Sequence, residues 1–192
     1  MNLMREKLIV MPVNIQLSIF KSKLIDGVVV YQPTIFKDNR GINFTYWSED
    51  QYFPQHITFC QSKISISYKN VLRGLHADKY TWKYINCLYG EIQLILVDGD
   101  KKRKTYGNYT SYCLTDKNLF CVLVPPKVFN AHLVLSNKAI FNYQWSEYYN
   151  GPEDQETLFW NDPELNLPWL KKEDLILSDR DKCGKLFKDI NL

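Results

Sequence analysis

The stretch Glu91-Ile92-Gln93-Leu94-Ile95-Leu96-Val97-Asp98 decides the fold. Ile92, Leu94 and Leu96 recur at every second position, so on an extended chain they share one face. The same signature returns on either side. Ile64–Ser67 alternates apolar and hydroxyl side chains strictly, and Val28–Tyr31, Ile57–Cys60, Leu119–Val124, His132–Leu135 and Ile140–Trp145 are β-branched and aromatic runs that read as strands. Turn-forming clusters separate them: Asp38-Asn39-Arg40-Gly41, Asp98-Gly99-Asp100, Tyr106-Gly107-Asn108, Pro125-Pro126 and Asn150-Gly151-Pro152. Many short strands at this spacing predict an all-β sandwich, jelly roll or barrel. Helical pattern is confined to the end, where Lys171–Asp174 and Asp181–Leu192 read as short helices with Ser178 or Asp179 as a cap. No repeat, low-complexity tract or linker interrupts the chain, so residues 1–192 read as a single domain.

The chain of 192 residues, 45% hydrophobic and 15% aromatic, suffices for one sizeable core. Lys plus Arg number 24 against 21 acidic residues, a formal charge of +3 spread along the chain. That argues against nucleic acid, which calls for a clustered basic face. It is compatible with a few Arg and Lys around a phosphorylated ligand. Five cysteines form no CxxC pair and are odd in number, the usage of free thiols in a reducing cytosol. The opening MNLMREKLIVMPVNIQLSIF has no continuous apolar core and no small-residue cleavage site, so it does not read as a signal sequence. No run approaches the roughly 18 apolar residues of a membrane span. A cytoplasmic protein with no membrane partner is expected.

The most informative stretch for chemistry is Asn70-Val71-Leu72-Arg73-Gly74-Leu75-His76, followed by Lys83. On a regular strand Arg73 and His76 have opposite parity, so Gly74 would have to bend the backbone for both to serve one pocket. A lone histidine in a β protein more often satisfies a structural need than acts as a base. His56, beside Pro54, reads as a surface residue. No His-x-His or Glu-x-x-His spacing occurs, so no metal is expected. Asn130 and His132 lie two apart and would face one side, either as a polar pair at a barrel mouth or as a hydrogen-bonding wall for a sugar. Tyr143 and Trp145 share a strand face. A strand tyrosine is ordinarily packing, and catalysis would need it opposite a base across a pocket. Asp181 reads at first as a helix-start carboxylate.

The order of motifs says more than any one of them. Asp38-x-Arg40-Gly41, Gln61, Asn70 to His76, Lys83, Tyr89-Gly90-Glu91, Tyr106-Gly107, Val124-Pro125-Pro126, Tyr148-Tyr149, Trp160-Asn161-Asp162-Pro163, Leu167-x-Trp169 and Leu177-Ser178-x-x-Asp181 follow one another between about residues 26 and 181. This series resembles the dTDP-4-dehydrorhamnose 3,5-epimerase family of nucleotide-sugar epimerases. The resemblance implies an all-β, cupin-type jelly-roll barrel with short C-terminal helices, assembled as a homodimer. It implies a nucleotide-diphosphate sugar as substrate and no cofactor. His76 falls at the family's catalytic base, Asp181 at the carboxylate that orients it, Lys83 at the lysine that stabilises the enolate and Tyr143 at the general acid. Arg73 and Arg40 match arginines that meet the diphosphate or the sugar, and Gln61 matches a substrate-lining position. Asn130 and His132 join the expected substrate wall.

These residue types suit the implied reaction. A 4-keto group acidifies the protons on C3 and C5, and a base near neutral pKa removes one. The charge that collects on the C4 oxygen favours a pre-placed ammonium. The sequence also departs from the family pattern. Asn130 stands where the family has a second histidine, Thr45 replaces an acidic residue, and Gln93 and Leu94 stand where another is usual. These changes are expected in the pocket walls and argue against thymidine and the rhamnose precursor, while the Pro125-Pro126…Asn130-Ala131-His132 pattern more closely resembles the branch acting on GDP-linked 4-keto heptoses in capsular polysaccharide synthesis. Competing expectations are a C3-only epimerase, a ketoisomerase that shifts the carbonyl between C3 and C4, and a non-catalytic sugar-nucleotide-binding cupin.

Overall fold

The computed structural model describes residues 3–10, 16–48, 53–54 and 57–192. The strands in chain order are β1 (Leu3–Val10), β2 (Gln16–Ser22), β3 (Val29–Gln32), β4 (Phe36–Asp38), β5 (Gly41–Asn43), β6 (Gln61–Tyr68) and β7 (Leu72–Asp78). There follow β8 (Lys83–Tyr89), β9 (Glu91–Asp98), β10 (Tyr109–Thr115), β11 (Cys121–Val124), β12 (Val128–Val134), β13 (Lys138–Trp145) and β14 (Gln155–Thr157). One sheet runs β1-β2-β3-β11-β8-β13-β6, a second β10-β9-β12-β7-β14, and β4-β5 form a separate hairpin. Pairing within the ladders is antiparallel throughout. The jelly-roll expectation is met.

Strand β9 explains why its sequence was decisive. Ile92, Leu94 and Leu96 enter the core between the two sheets, beside Ile85, Val122 and Phe141. Ile95 and Val97 point the other way, into a second apolar layer with Phe129, Leu133, Leu158 and Trp169. The C-terminal segment supplies that layer, so the five-stranded sheet is covered on both faces. Full burial of each such side chain contributes about 1.5–3 kcal/mol. A third cluster around Tyr31, Tyr84 and Leu123 covers the outside of the larger sheet.

Three expected elements differ. Ile57–Cys60 is not a strand: its burial alternates, but its pairing is confined to a bond from Cys60 N–H to the Trp145 carbonyl before β6 begins. Ile57 and Phe59 pack into the third cluster instead. Lys171–Asp174 is not a helix. Asp174 has φ +52°, a left-handed conformation outside the α-helical region. Asp181–Leu192 contains only the end of a four-residue helix, α1 (Asp179–Lys182), and a 3₁₀ turn at Phe187–Asp189. Between them Lys185 exchanges backbone hydrogen bonds with Thr157 and Phe159, and tertiary pairing overrides the local pattern. Ser178 caps α1, its hydroxyl accepting from Asp181 N–H. His56 lies outside the described residues. No helix among the described residues is long and apolar enough to cross a membrane.

Candidate active site

A cavity of about 220 Å³ opens between the sheets. Its floor and walls follow from strand parity. On β8, Lys83 shares the inward face with Ile85 and Cys87, so its ammonium is carried into the interior. On β13, Phe141, Tyr143 and Trp145 face in, and on β6, Lys63 and Ser65. From the opposing sheet come Arg73 and His76 on β7 and Asn130 and His132 on β12, the same-side pair that the spacing predicts. Tyr149, Gln155, Ser178, Arg180 and Asp181 close the rim.

Arg73 and His76 reach one cavity through a bulge. His76 stands opposite Asn130 and Arg73 opposite His132, so three steps on β7 match two on β12. The extra residue restores common parity. Gly74 makes the bend at φ +115°. A Cβ there would lie 2.5 Å from the Asn130 carbonyl oxygen and 2.6 Å from the Ala131 Cβ, so only glycine fits.

His76 Nε2 lies 2.7 Å from Asp181 Oδ1. Burial favours protonation of the Asp181 carboxyl, but hydrogen bonds from His76, Ser178 and Gly74 outweigh it and hold the group below the usual carboxylate range. For His76, burial is the largest influence and lowers the imidazole below its ordinary value. Asp181 pulls it back up, while Arg180 and Lys83 push it down. The resting pair is therefore a carboxylate against a neutral imidazole, the form a general base requires.

Lys83 is fully enclosed. Its Nζ lies 2.6 Å from Asp78 Oδ2 and donates to Asn130 Oδ1 at 2.8 Å. Burial lowers its pKa and the Asp78 charge opposes that shift. Tyr143 stands on the sheet opposite His76, its phenol pushed up to about 12, chiefly by burial and then by Tyr149. His132 stacks on Phe141 with ring centroids 4.0 Å apart, and its Nε2 is buried with no hydrogen-bond partner among the described residues. Burial and the Arg73 charge push His132 down to about 3, so it stays neutral. Arg73 Nε donates to Ser67 Oγ at 3.0 Å.

Two expected residues lie outside the cavity wall. Arg40 sits on the β4–β5 turn, 2.6 Å from Asp38 and with its side chain 86% exposed. Gln61 is one same-face position beyond Lys63, where its Oε1 accepts from Tyr149 N–H. The expected pocket changes need a correction as well. Gln93 faces away from the cavity and bonds Ser111 Oγ, the Pro168 carbonyl and Leu170 N–H. Leu94 is core, and Thr45 does not line the cavity. Of the departures, only Asn130 touches the site.

Residues of the site that went unassigned in the sequence include Lys63, Tyr149 and Arg180, which line the cavity, and Asp78, which stands behind Lys83 and lines the neighbouring groove. Asp78 was within reach, since it follows His76 at same-face spacing. Tyr149 belonged to the Tyr148-Tyr149 motif without a role, and Lys63 and Arg180 carry no signal, because a strand lysine or a rim arginine reads as solvated surface. With Lys83 and Arg73 they leave four cationic side chains against two carboxylates, and Lys63, Arg73 and Arg180 have no carboxylate partner among the described residues. The cavity is suited to an anion. No three His, Cys, Asp or Glu side chains among the described residues stand close enough to hold a metal ion.

Comparison with known proteins agrees with this architecture. The family model described as dTDP-4-dehydrorhamnose 3,5-epimerase matches residues 22–189. The enzyme of that name from Methanothermobacter thermautotrophicus is 31% identical over 171 residues, covering 86% of this chain and 92% of that protein. The crystal structure of the enzyme from Elizabethkingia anophelis superposes with a TM-score of 0.84 at 30% identity, covering 92% of this chain and 99% of that one. A dTDP-6-deoxy-D-glucose-3,5-epimerase from Legionella pneumophila, solved with dTDP-4-keto-L-rhamnose, gives a TM-score of 0.86 at 29% identity, covering 91% and 95%. The chain belongs to the dTDP-4-dehydrorhamnose 3,5-epimerase family and is an isomerase of the epimerase kind.

Proposed function

We propose that this protein inverts C3 and C5 of a nucleotide-diphosphate-linked 4-keto sugar. The observation that carries this reading is His76, on one sheet and paired with Asp181 of α1, facing Tyr143 on the other sheet across a cavity that also holds Lys83. Neutral His76 takes the proton from the carbon next to the ketone, and Asp181 stabilises the imidazolium that forms. The electron pair moves onto the C4 oxygen, where Lys83, held by Asp78 and Asn130, offers positive charge. Tyr143 then delivers a proton to the opposite face, and the centre is inverted. Arg73, Asn130 and His132 line the sugar, and Gln61 acts through the Tyr149 backbone. The reaction itself calls for no cofactor.

For the nucleotide, we favour the guanosine branch and a 4-keto heptose destined for capsule or another cell-surface polysaccharide. A groove of about 890 Å³ shares Tyr149 and Gln155 with the cavity and carries Glu147, Glu153, Asp154 and Glu156. Guanine presents two adjacent N–H donors that a carboxylate accepts, whereas thymine presents one donor between two carbonyls. A thermal-shift series with GDP, dTDP, UDP and CDP tests this, since a ligand of the native state raises its stability by mass action. The greatest shift is expected with GDP, and a dTDP preference would overturn the guanosine assignment.

The working form is a homodimer in the cytoplasm. Ile64, Ile66 and Tyr68 form an exposed apolar stripe on β6, an edge strand, with 61%, 55% and 67% exposure. Such a stripe is suited to a partner. Arg40, far out on its hairpin, would then meet substrate only in a neighbouring copy.

Proton NMR in deuterated buffer tests the reaction. Deuterium is expected at C3 and C5 of the product with the carbonyl still at C4. A carbonyl moved to C3 would establish the ketoisomerase instead, and exchange at C3 alone the single-centre epimerase.

A further inference from the structure

Two cavity cations lie against rings: Lys83, 4.8 Å from the Trp145 centroid but paired with Asp78, and Lys63, which has rings and no carboxylate beside it among the described residues. Its Nζ lies 3.4 Å from the ring centroid of Tyr149, 5.0 Å from Trp145 and 5.9 Å from Tyr143. It is also the direct cross-strand partner of Tyr143 in the β6–β13 ladder. No carboxylate pairs with it among the described residues. Three aromatic faces therefore fix an ammonium beside a phenol, on the wall that faces His76.

We propose that Lys63 is the electrostatic partner of Tyr143, stabilising the phenolate left when Tyr143 gives its proton to substrate. This rests on the reading of Tyr143 as the acid. In that step the enolate π pair forms the new C–H bond, the Tyr143 O–H bond breaks, and the C4 carbonyl re-forms. The phenolate is re-protonated by water, and the His76 imidazolium releases its proton to water. Without a nearby cation, a phenolate in this half-buried place would be a poorly solvated charge. The other charges that bear on the pair are Lys83 and Asp78, which act on Lys63, and Arg73 and Asp78, which act on Tyr143 in opposite directions. Asp78 is matched by Lys83, and Arg73 keeps its charge but reaches the cavity from the opposite sheet, so Lys63 is the unpaired cation on the phenol's own wall. Lys63 is thus a positioning residue that acts through Tyr143.

The test separates abstraction from inversion. With dTDP- and GDP-linked 4-keto-6-deoxy hexoses as probes in deuterated buffer, two rates are measured. One is deuterium exchange with retention, which needs His76 and Lys83 but not Tyr143. The other is formation of inverted product, which needs Tyr143. In Lys63→Gln, exchange with retention is expected to stay within about threefold while inversion falls about tenfold or more, as expected for a shift of at least one pKa unit. The alkaline limb of inversion moves to higher pH, because loss of a cation raises a phenol's pKa. Lys63→Arg restores both the rate and the limb. An unchanged ratio of inversion to exchange with an unmoved limb overturns the proposal, as does a rise in KM alone, which would make Lys63 a diphosphate contact. A fall in Tm with no change in either rate would make it a brace for Tyr149 and likewise overturns the proposal. Tyr143→Phe in parallel keeps the two ideas apart. If it spares inversion, the acid assignment fails; if it abolishes inversion while Lys63→Gln does not reduce it, only the Lys63 role fails.

Discussion

The imidazole of His76, on β7, is held at 2.7 Å by the carboxylate of Asp181, 105 positions later on α1. Asp181 is placed for this contact by a helix of only four residues that Ser178 caps, its hydroxyl accepting from Asp181 N–H. A residue that looks like a helix-start acid is thereby turned onto a ring nitrogen at the cavity.

Asp181→Asn tests that relationship through pH. Asp181 raises the His76 pKa against the lowering effect of burial, so its loss lowers the pKa further. The acid limb of kcat/KM, which reports the free base, is expected to move to lower pH. The plateau should drop at least about tenfold as the imidazolium loses its partner. An acid limb that moves upward would contradict the assignment of His76 as the titrating base.

Tyr143→Phe is expected to abolish inversion, by about 10²-fold or more, and to leave deuterium exchange with retention in place. The tilted ring contacts with Phe141 and Trp145 survive this change, so Tm should move little. NMR of the sugar protons reads both rates at once.

Asp78→Asn leaves the Lys83 ammonium buried without its carboxylate. Removing one partner of such a pair costs about 3–5 kcal/mol. Urea unfolding should show that loss, and a second change, Lys83→Met with Asp78→Leu, should recover much of the stability though not the activity. Equal midpoints for Asp78→Asn and wild type would show that the pair is not buried as described.

His132 makes stability depend on pH. It stays neutral down to about 3 in the folded protein, against an ordinary value of 6.5. Between those values the unfolded chain binds a proton that the folded chain does not. Stability therefore falls as pH falls below about 6.5, by at most ~1.4 kcal/mol per unit. His132→Phe keeps a ring on Phe141 and removes the titration. Its urea midpoint should drop less than that of wild type between pH 7 and pH 5, and parallel curves would contradict the burial of a neutral His132.

The fold was legible where one residue type repeated with one period. Ile92, Leu94 and Leu96 announced β9 because every second position enters the same core. The alternation of Ile64–Ser67 was also real, but it is inverted relative to the hydrophobic rule: Ser65 faces the cavity while Ile64 and Ile66 are exposed. A functional interior reverses the usual preference there. Lys63 stayed hidden for the same reason, since a lysine on an edge strand reads as solvated. The joint service of Arg73 and His76 hinged on a bulge that only the glycine between them hinted at. Lys171–Asp174 and the tail beyond Asp181 failed as helices because their backbone is claimed by pairing with Thr157 and Phe159 and by a left-handed residue at Asp174.

The central claim is that the imidazole of His76 removes a proton beside the ketone. Incubation of wild type and His76→Asn with a nucleotide-linked 4-keto sugar in deuterated buffer, followed by proton NMR, tests it most directly. Wild type should lose the C3 and C5 signals. His76→Asn should lose neither, while its thermal shift with the parent nucleotide diphosphate stays close to that of wild type. Exchange at an undiminished rate in His76→Asn would contradict the account and assign the base to another residue.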